Sequence, residues 1–174
     1  MDMAVDSNSD RLRRRLALST SGYEFIIHLS SLKNSRDRIG IVAQLVPKPT
    51  LQLAAIQSRM STILLTDLNK LGLYLEKHIN SNLEDESHIF LGYDCIFQVQ
   101  ALEGFLDVRK DVIDPKNSEF SIRCLVNIGQ TEALPQSEYF GGESTVSLDE
   151  CIDFVNAIKE SYCAFKNHSN DKVN

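Results

Sequence analysis

The sequence is poor in the residues that would define a specialised chain. It has four prolines and eight glycines in 174 residues, too few for a collagen-like or low-complexity chain. No uninterrupted apolar run approaches 18 residues, so no segment reads as a membrane-spanning helix. The four cysteines, Cys95, Cys124, Cys151 and Cys163, form no Cys-x-x-Cys pair, which removes the spacing of a zinc knuckle. The histidines His28, His78, His88 and His168 include no pair at a metal-ligand spacing. A phosphate loop needs Gly-x-x-x-x-Gly-Lys followed by Ser or Thr, and a nucleophile elbow needs Gly-x-Ser-x-Gly. Neither string occurs. No catalytic set, metal or cofactor is therefore assigned.

What remains is an ordinary composition with an uneven charge. The chain is 43% hydrophobic and 24% charged, with a formal net charge of −6. At about 150 residues per domain this length reads as one domain. It can bury roughly 70% of its unfolded surface, enough for a core without staples. Residues 1–10 hold three acids and no base, and residues 11–60 hold nine bases and two acids. The rest of the chain holds nine bases and nineteen acids. Such an asymmetry fits two regions that attract each other, or a face for a charged partner. The overall negative charge disfavours a nucleic-acid coat or a basic membrane-surface protein.

The ends read as tails. Residues 1–20 form a basic, partly flexible segment with the run Arg11-Leu12-Arg13-Arg14-Arg15-Leu16. The acids before it have the wrong sign for an export signal, and the expected location is cytoplasmic. Leu12, Leu16 and Leu18 would allow a short helix or an added strand. Residues 167–174 are polar and read as a second tail.

Between them, residues 21–166 read as a single α+β domain. Tyr23, Phe25, Ile27 and Leu29 alternate with polar neighbours, as do Ile39, Ile41, Ala43 and Leu45; both are strands. Residues 50–65 are read as a strand, bulged near Ser58. Leu68, Leu71, Leu75 and Ile79 repeat at helical spacing, with Thr66 as the expected cap and His78 in the last turn. Cys95 to Ala101 and Phe120 to Ile128 are further strands, joined by a loop or hairpin arm turning at Asp114–Asn117. Ser144–Val146 is a short strand. Ser147 and Glu150 are spaced as a capping box before a helix that buries Cys151, Phe154, Val155, Ile158 and Tyr162. Asp149, Glu150 and Asp153 suit the positive end of that helix.

The two halves align. Ser61, Thr62 and Ile63 stand 83 positions before Ser144, Thr145 and Val146. At the same offset Leu68 meets Cys151, Leu71 meets Phe154 and Leu75 meets Ile158. The expected fold is a predominantly antiparallel sheet of six or more strands with two long helices. It would be built from duplicated β-β-β-α units over 21–83 and 91–166. For function the expectation is a non-catalytic protein-interaction or binding module. Its partner would be another copy, a dimer first, or another protein. The contact candidates are Tyr139, Phe140, Gly141, Gly142 and Glu143, where glycines admit a bulge or a close approach. An alternative is a ligand binder or enzyme with a cleft near Tyr139–Ser144. A further alternative is anion or partner binding through Arg11, Arg13, Arg14 and Arg15, with Arg36, Arg38 and Arg59 on the same face. Cys95, Cys124 and Cys151 are expected as buried free thiols, and Cys163 as exposed.

Overall fold

In the computed structural model, residues 11–33, 35, 37–83, 89–91, 96–129 and 138–171 are described. The first strand, β1 (Arg13–Ser19), comes from the segment expected to be a tail. Leu16 and Leu18 point inward and are fully buried, opposite Ile27 and Phe25 of β2 (Tyr23–Ser31). The strand addition that the leucines allowed is thus a core element, and the arginines only decorate it. β3 (Arg38–Pro47) pairs antiparallel with β2 along its length, and Ile39, Ile41, Ala43 and Leu45 face the core.

The far edge of β3 is served by two short strands instead of the single one expected over 50–65. A single 3-10 turn (Pro49–Leu51) precedes β4 (Ile56–Gln57), which pairs with Gln44 and Leu45. β5 (Ser61–Leu64) pairs with Arg38–Ile41. Ser58 bridges the break. Its N–H donates to the Ala43 carbonyl at 2.8 Å, and its hydroxyl accepts the Ala43 N–H at 3.0 Å. One side chain thereby replaces a ladder partner at the bulge.

α1 (Leu65–Asn80) follows β5 without a loop. The Thr66 cap does not form. Leu64 is the cap residue, without a side-chain bond, and the Leu65 N–H donates to the Asp37 carbonyl at 2.7 Å. A strand that runs straight into a helix leaves the helix start facing another strand's end, which supplies the acceptor. Leu68, Leu71 and Leu75 are buried as their spacing predicts.

The second sheet contains β6 (Phe90–Leu91), β7 (Phe97–Phe105), β10 (Glu119–Asn127) and β11 (Tyr139–Ser147) in the order β11-β10-β7-β6. Between β7 and β10 a hairpin arm of β8 (Val108–Arg109) and β9 (Val112–Ile113) projects. It turns at Lys110 and Asp111, both in left-handed conformation, and Asp114–Asn117 forms a second turn beyond it. β11 is longer than expected, because Tyr139–Glu143 belongs to the strand. α2 (Leu148–Asp171) continues through most of the segment read as a C-terminal tail. Its capping box does not form. The Leu148 and Asp149 N–H groups donate to the carbonyls of Ser118 and Pro115, and Glu150 N–H donates to Asp149 Oδ1.

Both units therefore run as a meander followed by a helix, and the helices cross over. In α1 the Tyr74 hydroxyl accepts the Ala101 N–H of β7 at 2.9 Å, and its ring meets Phe90 of β6. His78, expected near the surface, is buried with its ring 4.9 Å from Phe120 of β10. In return α2 packs on β1 of the first sheet. The helices meet each other where Gly72 leaves room for Ile158. Nearby, Lys159 Nζ donates to Glu76 Oε1 at 2.7 Å, across a separation of 83 positions. That is the offset at which the halves align. The ladders give a second such pair. Ile63 and Val146 correspond, and they lie opposite Ile39 and Phe120. Six residues on, Leu45 and Val126 lie opposite Phe25 and Phe97. The rings of Phe25 and Phe97 touch edge to face at 5.6 Å.

Because Leu18 is a core residue, Leu18→Ala is expected to cost about 2–5 kcal/mol in urea unfolding, the range for a large-to-small core change. A residue of a solvated tail would cost nothing measurable.

Candidate functional site

The outer half of β11 carries the contact candidates, and the fold places them beside residues far away in sequence. The β1–β2 turn docks on this strand. Ser21 N–H donates to the Thr145 carbonyl at 2.8 Å, and Gly22 N–H donates to Ser144 Oγ at 2.8 Å. Tyr23 then enters between the strands of the second sheet. Its hydroxyl lies 2.9 Å from the Gly142 carbonyl and 3.2 Å from that of Ile122, and it accepts the Cys124 N–H at 3.2 Å. One phenol thus ties the first sheet to β10 and β11. Burial pushes its ionisation far above the ordinary tyrosine range.

Gly141 has a φ of +157°, and a Cβ there would overlap the Cys124 carbonyl oxygen and crowd Leu45. The space at this glycine is filled by β10 and Leu45 of the same chain. Gly142 is different: a Cβ there would meet nothing. The two glycines that look alike in the string have unlike roles.

Phe140, Gly141, Gly142 and Glu143 line an open hollow of about 190 Å³ together with Tyr23, Leu45, Pro47, Leu51, Leu53 and Ile56. Leu53 is 60% exposed, Phe140 48% and Leu51 49%, so apolar surface is presented to solvent there. Tyr139 precedes the hollow on the same strand and does not line it. Glu143 is the one ionisable carboxylate of the lining, and it holds Arg123 at 3.2 Å. Sequence reasoning missed the partners from 45–56. The signal was Leu51 and Leu53 beside Pro47 and Pro49, apolar residues where the chain leaves its sheet.

The basic candidates lie elsewhere. Arg13 and Arg15 project from the outer face of the first sheet, in register with Ser30 and His28. Arg14 stands between them on the other side of the strand, exposed. Arg15 pairs with Glu24 at 2.9 Å, and Arg38, on the same outer face, reaches Thr62 at 3.4 Å. Arg11 precedes the strand, and Arg36 lies outside the described residues. His28 Nε2 is 3.3 Å from Gln44 Oε1.

Cys124 and Cys151 are buried free thiols, and Cys163 is exposed. Burial pushes the first two up to about 12. Cys95 and His88 lie outside the described residues. Among the described residues no three of His, Cys, Asp and Glu gather as a metal site. Among the described residues no helix is long and apolar enough to cross a membrane. No protein-family model matches the sequence, and no curated protein matches it.

Gly141→Ala is expected to cost more than about 2 kcal/mol in urea unfolding, because backbone must move. Gly142→Ala is expected to be neutral or up to about 1 kcal/mol stabilising. A second outcome concerns pH. Tyr23, Cys124 and Cys151 keep their protons in the folded chain at pH values where the unfolded chain loses them. Stability is therefore full below pH 9 and falls as pH rises towards 12. Tyr23→Phe removes its share of that decline. It also lowers the neutral-pH stability by about 1–3 kcal/mol through the stranded Cys124 N–H and Gly142 carbonyl.

Proposed function

We propose that the protein is a non-catalytic interaction module that receives an extended, apolar segment of another polypeptide at the hollow beside β11. The observation that carries this reading is the exposed apolar rim of Leu51, Leu53 and Phe140 around a concave floor. β10 is the one ladder partner of β11 among the described residues. A strand edge next to an apolar hollow offers main-chain bonds for affinity and a pocket for alternate side chains. The alternative of a catalytic cleft has less support. The lining brings one carboxylate, already paired with an arginine, and a phenol committed to backbone groups. General acid–base chemistry needs a second group within reach.

The same reading includes two broader points. The free thiols fit a reducing, cytoplasmic setting. The matching meanders, with contacts between corresponding residues, fit a duplicated unit fused into one chain. A dimer of the whole chain would repeat that principle, and the exposed Val108 and Val112 of the arm offer it an apolar surface.

The test is an amide-shift titration of the labelled protein with a short peptide of alternating leucine and serine. Shifts confined to Gly22, Tyr23, 51–56 and 139–143, and lost in the Leu53→Asp, Phe140→Asp double variant, are expected. Absence of shifts at millimolar peptide, or shifts centred elsewhere, would remove this function.

A further inference from the structure

Besides the hollow, the first sheet has an open edge. β1 pairs with β2 alone among the described residues, so its other edge presents unpaired backbone groups. Beside that strand a groove of about 420 Å³ runs over the outer face. Arg13, Arg14, Arg15 and His28 line one side of it, and Val42 and Met60 line the other. Gly40 keeps the floor low, because a Cβ there would strike Ser30 Oγ and press on Met60. Met60 is 62% exposed, so the groove has a cationic wall and an apolar wall. Among the described residues Arg15 engages Glu24 at 2.9 Å.

We infer that the open edge of β1 binds an acidic, extended peptide segment of a partner protein, added to the first sheet as a further strand, while the groove lies inward of it over β2 and β3. Charge on an edge strand ordinarily guards against unwanted pairing. Here the guard is selective. Arg13 and Arg15 stand on one face of the strand and Arg14 on the other, so an added strand meets positive charge on both of its faces. A neutral or basic strand is repelled or left with unpaired charge, and one with alternating carboxylates is matched.

The chemistry favours a peptide over a nucleic acid. An open strand edge offers N–H and C=O groups in the spacing that only another peptide backbone can use. The edge strand itself, Arg-Arg-Arg-Leu-Ala-Leu-Ser, carries no aromatic side chain on which a base could stack. The net charge of −6 repels a long polyanion, whereas a short acidic segment meets mainly the local field. This surface belongs to the edge of the first sheet, apart from the hollow at β11, so the two proposals stand or fall separately.

The probe is a short fluorescein-labelled peptide of alternating glutamate and valine, followed by anisotropy with the full chain. A peptide with lysine for glutamate and a labelled oligouridylate serve as comparators. Binding of the glutamate peptide is expected to weaken about tenfold or more between about 50 and 300 mM salt. It is expected to weaken similarly in the Arg13→Glu, Arg14→Glu double variant and to stay within about twofold in Met60→Asp, which lies inward over β3, all at exposed positions whose fold is checked by circular dichroism. Absence of glutamate-peptide binding at low salt would overturn the inference. So would equal binding of the lysine peptide, tighter binding of the oligouridylate, full binding by the folded arginine variant, or loss of binding in Met60→Asp.

Discussion

The structure depends on two helices that both sheets share. α1 keeps Leu68 and Leu71 against Ile27, Ile41 and Ile63 of its own sheet. It also lays Tyr74 and His78 against Phe90 and Phe120 of the second sheet, and α2 covers β1 of the first. A sheet with one exposed apolar face cannot persist in water, since a large side chain left unburied forfeits roughly 1.5–3 kcal/mol. Sharing the helices buries both inner faces in one core. Everything else follows from that: the edge-to-face contact of Phe25 and Phe97, the room left by Gly72, and the Tyr23 hydroxyl reaching across to β10 and β11.

How much of this the sequence shows depends on how loudly each element speaks in apolar residues. β2, β3, β7, β10 and both helices have one clean apolar stripe, and their residues are buried where periodicity places them, except Ile79 and Tyr162, which are half-buried near the helix ends, and Ile128, which lies past the end of β10 and is exposed. β1 is quiet, because three arginines precede two leucines and the alternation is only two residues deep. The outer half of β11 is quieter still, built from glycine, serine and glutamate around one phenylalanine. The caps at Thr66 and Ser147 were misread for a single reason. Both helices start directly from a strand, and their first N–H groups find carbonyls on neighbouring segments. Local cap grammar assumes a helix that begins in solvent. His78 was misplaced because charge–dipole reasoning says nothing about a ring that covers Phe120.

The site candidates divide in the same way. The string Tyr139–Glu143 drew notice through its glycines, and the structure assigns a steric reason to Gly141 and none to Gly142. The partners of the hollow, from Leu45 to Ile56, are separated from it by most of the chain, and no local pattern connects them. The arginine run was visible as charge. Its meaning depends on being a strand at a sheet edge, which is a property of topology and not of composition.

The packing of α2 on β1 has a consequence for how the chain is made. The strand that emerges early from synthesis is covered by the helix that emerges late, and nearly the whole intervening sequence must be in place before they touch. Closing so long a loop is entropically slow, and contacts of this separation mark slow folders. The inner face of β1 therefore spends translation uncovered. Its arginines, which stay at the open edge, guard the strand against pairing with nascent neighbours during that interval.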